Sequence, residues 1–159
     1  HRRPRDHDLE TGLVIADYSR PFWPLFLHVL GAMTTVGGLV TVVILSYVAW
    51  SRPDAAFLRR ATFTALVATI PFYILLRVFA EVMYSDEKDA FGGNDPTWVG
   101  IGYITSDAGF LLLLITIGLA FWWKRSSKPV AGRIVAVLST LLLLLLTVAM
   151  LAMSGKWGS

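Results

Sequence analysis

The sequence contains no cysteine, which excludes disulfides, thiolate metal sites and cysteine nucleophiles. Charge is scarce too: Asp, Glu, Lys and Arg make up 16% of the 159 residues, where a soluble domain carries roughly 25%. No P-loop, zincin motif or G-x-S-x-G elbow is present. What fills the chain instead is apolar: 55% hydrophobic and 13% aromatic residues, with a mean hydropathy of +0.63. The charge deficit falls in long apolar runs, which points to surroundings of lipid rather than water. The net charge of +3 and pI near 9.5 then reflect basic loops, and no nucleic-acid partner is expected. The length suits one domain with one core. The chain opens on His1 rather than methionine, which leaves a preceding segment open.

The runs resolve into four expected spans, at about 22–50, 61–84, 98–123 and 130–153. They follow a polar tail, residues 1–20, and together make a four-helix transmembrane domain over 21–159. Ser19 reads as the N-cap of the first span, with Pro21 in its first turn. Ser51-Arg52-Pro53-Asp54 reads as a capping box that starts the second helix before its apolar run, and Asp95-Pro96 as cap and proline for the third. Pro71 is expected to kink the second helix. Trp23, Trp50, Tyr84, Trp98, Trp122, Trp123 and Trp157 lie near span ends, as an interfacial aromatic belt requires.

Loop charge orients these spans. Arg52, Arg59 and Arg60 outweigh Asp54 in the first loop, and Lys124, Arg125, Lys128 and Arg133 surround the third. The middle loop carries Asp86, Glu87, Asp89 and Asp95 against Lys88, with Gly92-Gly93-Asn94 at its centre. Basic loops stay in the cytoplasm, so both termini and the middle loop are expected on the other side. Short loops make neighbouring helices antiparallel, and the fold class expected is an all-α, integral membrane, up-down four-helix bundle.

Under that topology His28, Arg77, Glu81 and Asp107 all fall in the outer half of the bilayer, and no comparable group falls in the inner half. Ionisable groups at such depth usually face the bundle interior and pair. Arg77 and Glu81 share a helix face at i,i+4. Asp107 has no partner on its own helix, which leaves Arg77 or His28 across the bundle. The four are expected to form one hydrogen-bonded network between the first three spans, as ligand or proton-relay candidates or as a device that fixes helix register. On the first span, Gly31, Thr35 and Gly38 share the face of His28 and permit close helix packing. No cofactor is expected from these residues. A His/Met set built on His28 and Met83, suited to haem or Cu(I), is the metal alternative, with Met33, Met150 and Met153 at similar depth. The acidic run from Ser85 to Asp89 lacks the periodicity of a calcium loop and reads as solvated charge.

The run Leu27-His28-Val29-Leu30-Gly31-Ala32, followed by Val36-Gly37-Gly38-Leu39, resembles the first helix of uncharacterised bacterial four-helix membrane proteins. More distantly it is similar to copper-resistance proteins of the CopD type. The resemblance covers about one span and the general layout. It implies a bacterial plasma-membrane location and copper or haem as ligands, although the later spans here hold no further histidine. The minimal bundle, with no catalytic motif and a tail able to dock, leads to the expectation of a non-enzymatic accessory subunit. Its partners would be lipid and other membrane subunits or copies of itself. A ligand-, haem/copper- or proton-handling protein is the alternative.

Overall fold

The structure, a computed structural model, describes residues 22–52, 56–88 and 95–155. The polar tail, the Ser19 cap with Pro21, the Gly92, Gly93 and Asn94 centre of the middle loop, and Trp157 lie outside the described residues. The described chain forms four helices: α1 (Phe22–Ser51), α2 (Ala56–Glu87), α3 (Thr97–Ser126) and α4 (Pro129–Gly155). Each is long and apolar enough to cross a membrane. At about 1.5 Å per residue they also outreach a ~30 Å hydrocarbon core.

Helix ends depart from the expected boundaries for local reasons. Ser51 does not cap α2. It is the last residue of α1, its hydroxyl donates back to the Val48 carbonyl at 2.9 Å, and Arg52 is not helical. α2 nonetheless takes in Arg59 and Arg60 at its start and Asp86 and Glu87 at its end, so most of the acidic run is helix rather than loop. Asp95 does not cap α3 either. The helix begins at Thr97 with Pro96 in the N-cap position and no side-chain cap, because the Asp95 carboxylate is taken by the Tyr84 hydroxyl at 2.8 and 2.9 Å. That bond ties the end of α2 to the start of α3. α2 continues through Pro71 as one helix, although proline supplies no N–H to the carbonyl one turn back.

Among the described residues the helices pack as a ring: α1 on α2, α2 on α3, α3 on α4 and α4 on α1, with no packing across the diagonals. The α1–α2 seam is the closest of the four and the α2–α3 seam the most open. Gly31 explains the close seam. A Cβ there would lie 2.7 Å from the Leu76 nitrogen and 3.1 Å from the Phe72 carbonyl oxygen, so only glycine admits the α2 backbone. Gly38 plays a lesser version of this part, with the Thr69 hydroxyl 2.9 Å from the position of its missing Cβ. Thr35 is fully buried on the same face, which continues through Leu39, Val42, Ser46 and Ala49 at alternating spacings of three and four. Gly31, Thr35 and Gly38 thus lie on the side of α1 that meets α2.

The core is thin and largely small or aliphatic: Leu39, Val42, Leu66, Leu113, Val135 and Leu142, closed by Tyr73 and Trp123. Trp123 therefore leaves the expected aromatic belt. It is 2% exposed because Gly132 on α4 gives its ring room, the nearest ring atom standing 2.6 Å from where a Cβ would be. Trp23 and Trp122 do stay on the outside. The Leu141–Leu146 run divides, Leu142 and Leu146 facing in and Leu141 and Leu144 facing out. The buried Thr35 hydroxyl has no partner among the described residues, whereas Thr62, Thr69, Thr116 and Thr140 satisfy their hydroxyls within their own helices, each donating to the carbonyl four residues back. This is the local solution open to a hydroxyl in apolar surroundings.

One end of the bundle is cationic. Lys124 sits 4.2 Å over the Phe63 ring, Arg125 4.3 Å over Phe121, and Arg133 5.2 Å over Trp50. These contacts bring the basic segments around both short connections, α1–α2 and α3–α4, to the same end. Glu81, Asp86 and Asp95 belong to the other.

Candidate functional site

The four ionisable groups singled out above separate into two places. Arg77 and Glu81 stand one turn apart on α2, and Asp107 faces them from α3. The Arg77 guanidinium bridges both carboxylates. Its Nη1 donates to Glu81 Oε2 at 3.0 Å, and its Nε and Nη2 each lie 3.2 Å from Asp107 Oδ1. Tyr103 completes the group: its hydroxyl donates to Glu81 Oε2 at 2.9 Å, and its ring lies 4.5 Å beneath the guanidinium. One guanidinium against two carboxylates leaves the trio with a formal charge of −1.

The direction in which this group faces differs from expectation. Buried pairing in the bundle interior was anticipated, yet the Asp107 side chain is 67% exposed, Glu81 57% and Arg77 30%. The reason is helical phase. Gly109 and Leu113 point α3 inward, and Asp107 falls on the side of the helix away from them. Beside the trio the open α2–α3 seam forms a groove of about 340 Å³ lined by Tyr73, Arg77, Ser106, Asp107 and Phe110. Tyr73 crosses the base of the seam, and its hydroxyl donates to the Ser106 carbonyl at 2.6 Å.

His28 does not join the network. Its Nδ1 lies 3.0 Å from the Leu76 carbonyl across the α1–α2 seam. A carbonyl only accepts, so Nδ1 carries the proton, and in the neutral ring Nε2 remains an acceptor. His28 lines an apolar cavity of about 80 Å³ among all four helices, bordered by Ala32, Leu76, Tyr103, Leu146 and Met153. A neighbouring cavity of about 100 Å³ shares His28, Ala80, Tyr103 and Met153 with it and is also bordered by Met83.

His28 and Met83 thus border one cavity, as the His/Met alternative requires. Among the described residues no three His, Cys, Asp or Glu side chains gather to hold a metal. Both cavities are small beside the roughly 300–1,000 Å³ of ordinary ligand pockets. The donor set that could face a Cu(I) ion is one imidazole with thioethers. Met33, considered with them at the outset, points away and is 68% exposed.

The functional groups that sequence reasoning missed are Tyr103, Tyr73 and Ser106. A signal for two of them was present: Tyr73 precedes Arg77, and Tyr103 precedes Asp107, by four residues. Each therefore shares a helix face with a charge inside an apolar run. Compared with protein-family models, curated proteins and solved structures, the chain matches none.

Proposed function

We propose that this chain is a non-catalytic accessory subunit of a larger membrane protein complex in a bacterial plasma membrane. It is inserted as an up-down four-helix bundle. The cationic end faces the cytoplasm, by the retention of basic loops there. The acidic end and both termini face outward. Inter-helix pairs support the alternating directions: His28 meets Leu76 while Gly38 meets Thr69, and Gly109 meets Leu142 while Trp123 meets Gly132.

The observation that carries the reading is the outward-facing trio. Asp107 lies about 15 Å along α3 from Thr97, and centring that helix on a ~30 Å core puts the carboxylate about 7 Å inside the hydrocarbon. Charged side chains in spans almost always face protein, because one left against hydrocarbon costs up to a few kcal/mol, the most at the bilayer centre. A monomer in lipid would leave Asp107 in that position. A neighbouring subunit against α2 and α3 removes it.

A second reading, a protein that handles a small apolar ligand, is favoured by the acceptor left on His28 beside a cavity bounded by all four helices. One measurement separates the two. The native mass of the protein, extracted from its own membranes in mild detergent, is expected to show partner subunits in fixed stoichiometry. A monomer or homo-oligomer would overturn the accessory reading. A small molecule retained by such a species and lost in His28→Phe would establish the second.

A further inference from the structure

The charge of the outward-facing trio specifies more than the existence of a partner. We infer that the α2–α3 face docks a transmembrane helix carrying one basic side chain, lysine or arginine, at the depth of Asp107. This inference rests on the accessory reading and names the chemistry of the partner.

Three observations converge on it. The first is charge. Arg77 is shared between Glu81 and Asp107, so the surface carries one uncompensated negative charge, and Asp107 is the most exposed of the three. A purely apolar helix would cover the site without balancing it, and leaving a charge unpaired in a dry interface is strongly unfavourable. The second is shape. The α2–α3 seam is the most sparsely packed of the four, and Asp107 is among the residues that line its groove of about 340 Å³. That space admits a long side chain whose alkyl stem runs along Phe110 and Tyr73 while its head meets the carboxylate. The third is rigidity. The Arg77 guanidinium is already held by two carboxylates and by the Tyr103 ring, so the acceptor is fixed in place before a partner arrives.

The same charge count selects against a second copy of this chain. Two such faces brought together carry a formal charge of −2 and add no cation beyond the two guanidiniums already engaged. Within its spans the chain has no other arginine or lysine at this depth.

The test uses the full chain in lipid vesicles with three synthetic transmembrane helices. All have a Leu/Ala background and differ at one position, about 7 Å below the outer hydrocarbon boundary, which holds Lys, Leu or Glu. Association is read by energy transfer between a dye on the chain and one on the helix. The Lys helix is expected to bind about tenfold more tightly than the Leu helix, the size of one good polar contact between membrane helices. The Glu helix should bind least. In Asp107→Asn, which keeps the shape, the Lys preference should fall to near unity. In Glu81→Gln, which makes the trio neutral without touching Asp107, it should fall part of the way. Unchanged helicity and melting of both variants exclude misfolding as the cause.

Equal binding of the Lys and Leu helices would overturn the inference, as would a Lys preference that survives in Asp107→Asn. Asp107-dependent self-association of the chain, at least as strong as its binding of the Lys helix, would assign the face to a second copy instead. Because partner subunits are sought separately by native mass, a complex found there without Lys selectivity here would retain the accessory reading and reject only this face.

Discussion

At the scale of single residues, two glycines six positions apart on α1 make the clearest contrast. Gly31 faces α2 backbone on two sides, the Leu76 nitrogen and the Phe72 carbonyl, and backbone has little freedom to retreat. Gly37, on the other side of the same helix, has nothing within 4 Å of an added Cβ. Gly31→Ala is therefore expected to destabilise the bundle by about 1–3 kcal/mol, the usual range for overpacking. Gly37→Ala should be neutral or stabilising by up to about 1 kcal/mol, from helix propensity alone. Reversible unfolding in mixed detergent micelles measures both, and equal effects would show that the α1–α2 seam is not as close as described. Asp107 is the residue-scale counterpart on the outer surface. There an exposed carboxylate stands on a long apolar helix, and Arg77, shared with Glu81, balances it only in part.

Between residues and the whole lie the turns that set helix direction. The α3–α4 connection is very short: α3 ends at Ser126 and α4 begins at Pro129. The reversal depends on Ser127, which adopts the left-handed conformation with φ 55° and donates its N–H to the Trp123 carbonyl at 3.0 Å. It is the one non-glycine residue with positive φ among those described. Ser127→Gly removes the steric cost of that conformation and should leave stability unchanged or raise it by up to about 1 kcal/mol. Ser127→Val places a β-branched side chain there and should cost about 1–2 kcal/mol. The same unfolding assay reports the pair, and a stable Ser127→Val variant would mean the turn has another conformation available. The α2–α3 connection is organised differently, through the Tyr84 hydroxyl on Asp95, so the two helix pairs are closed by unrelated devices.

The whole molecule has a cationic and an acidic end, and this asymmetry makes its orientation testable. The absence of native cysteine provides a clean background for labelling. Ser51, at the end of α1, and Ser85, near the end of α2, are both exposed and lie at opposite ends of the bundle. In intact cells a membrane-impermeant maleimide is expected to label Ser85→Cys and to spare Ser51→Cys until the membrane is permeabilised. The reverse pattern would invert the proposed topology and move the Asp107 face to the inner leaflet. Labelling of both in intact cells would remove the membrane from the reading altogether.

Much of this architecture was legible in one dimension. Four helices, their approximate extents and the seam at Gly31, Thr35 and Gly38 follow from runs of apolar residues and from spacings of three and four, because helix formation and small-residue packing are local in cause. The i,i+4 pairing of Arg77 with Glu81 is local in the same sense. Helix ends were less legible: Ser51 and Asp95 have the chemistry of caps, but one bonds back to Val48 and the other accepts from Tyr84. Such competition among nearby partners is decided only when the chain has a path. Three matters belonged to tertiary structure alone. Helix rotation carried His28 inward to the Leu76 carbonyl and Asp107 outward beside Arg77, dividing a group that depth in the sequence had placed together. Packing drew Trp123 from the expected belt into the core, because Gly132 stood opposite it. The unequal closeness of the four seams opened a groove beside the charge. Sequence periodicity establishes which residues share a face of a helix; which way that face turns depends on the shapes of three other helices at once.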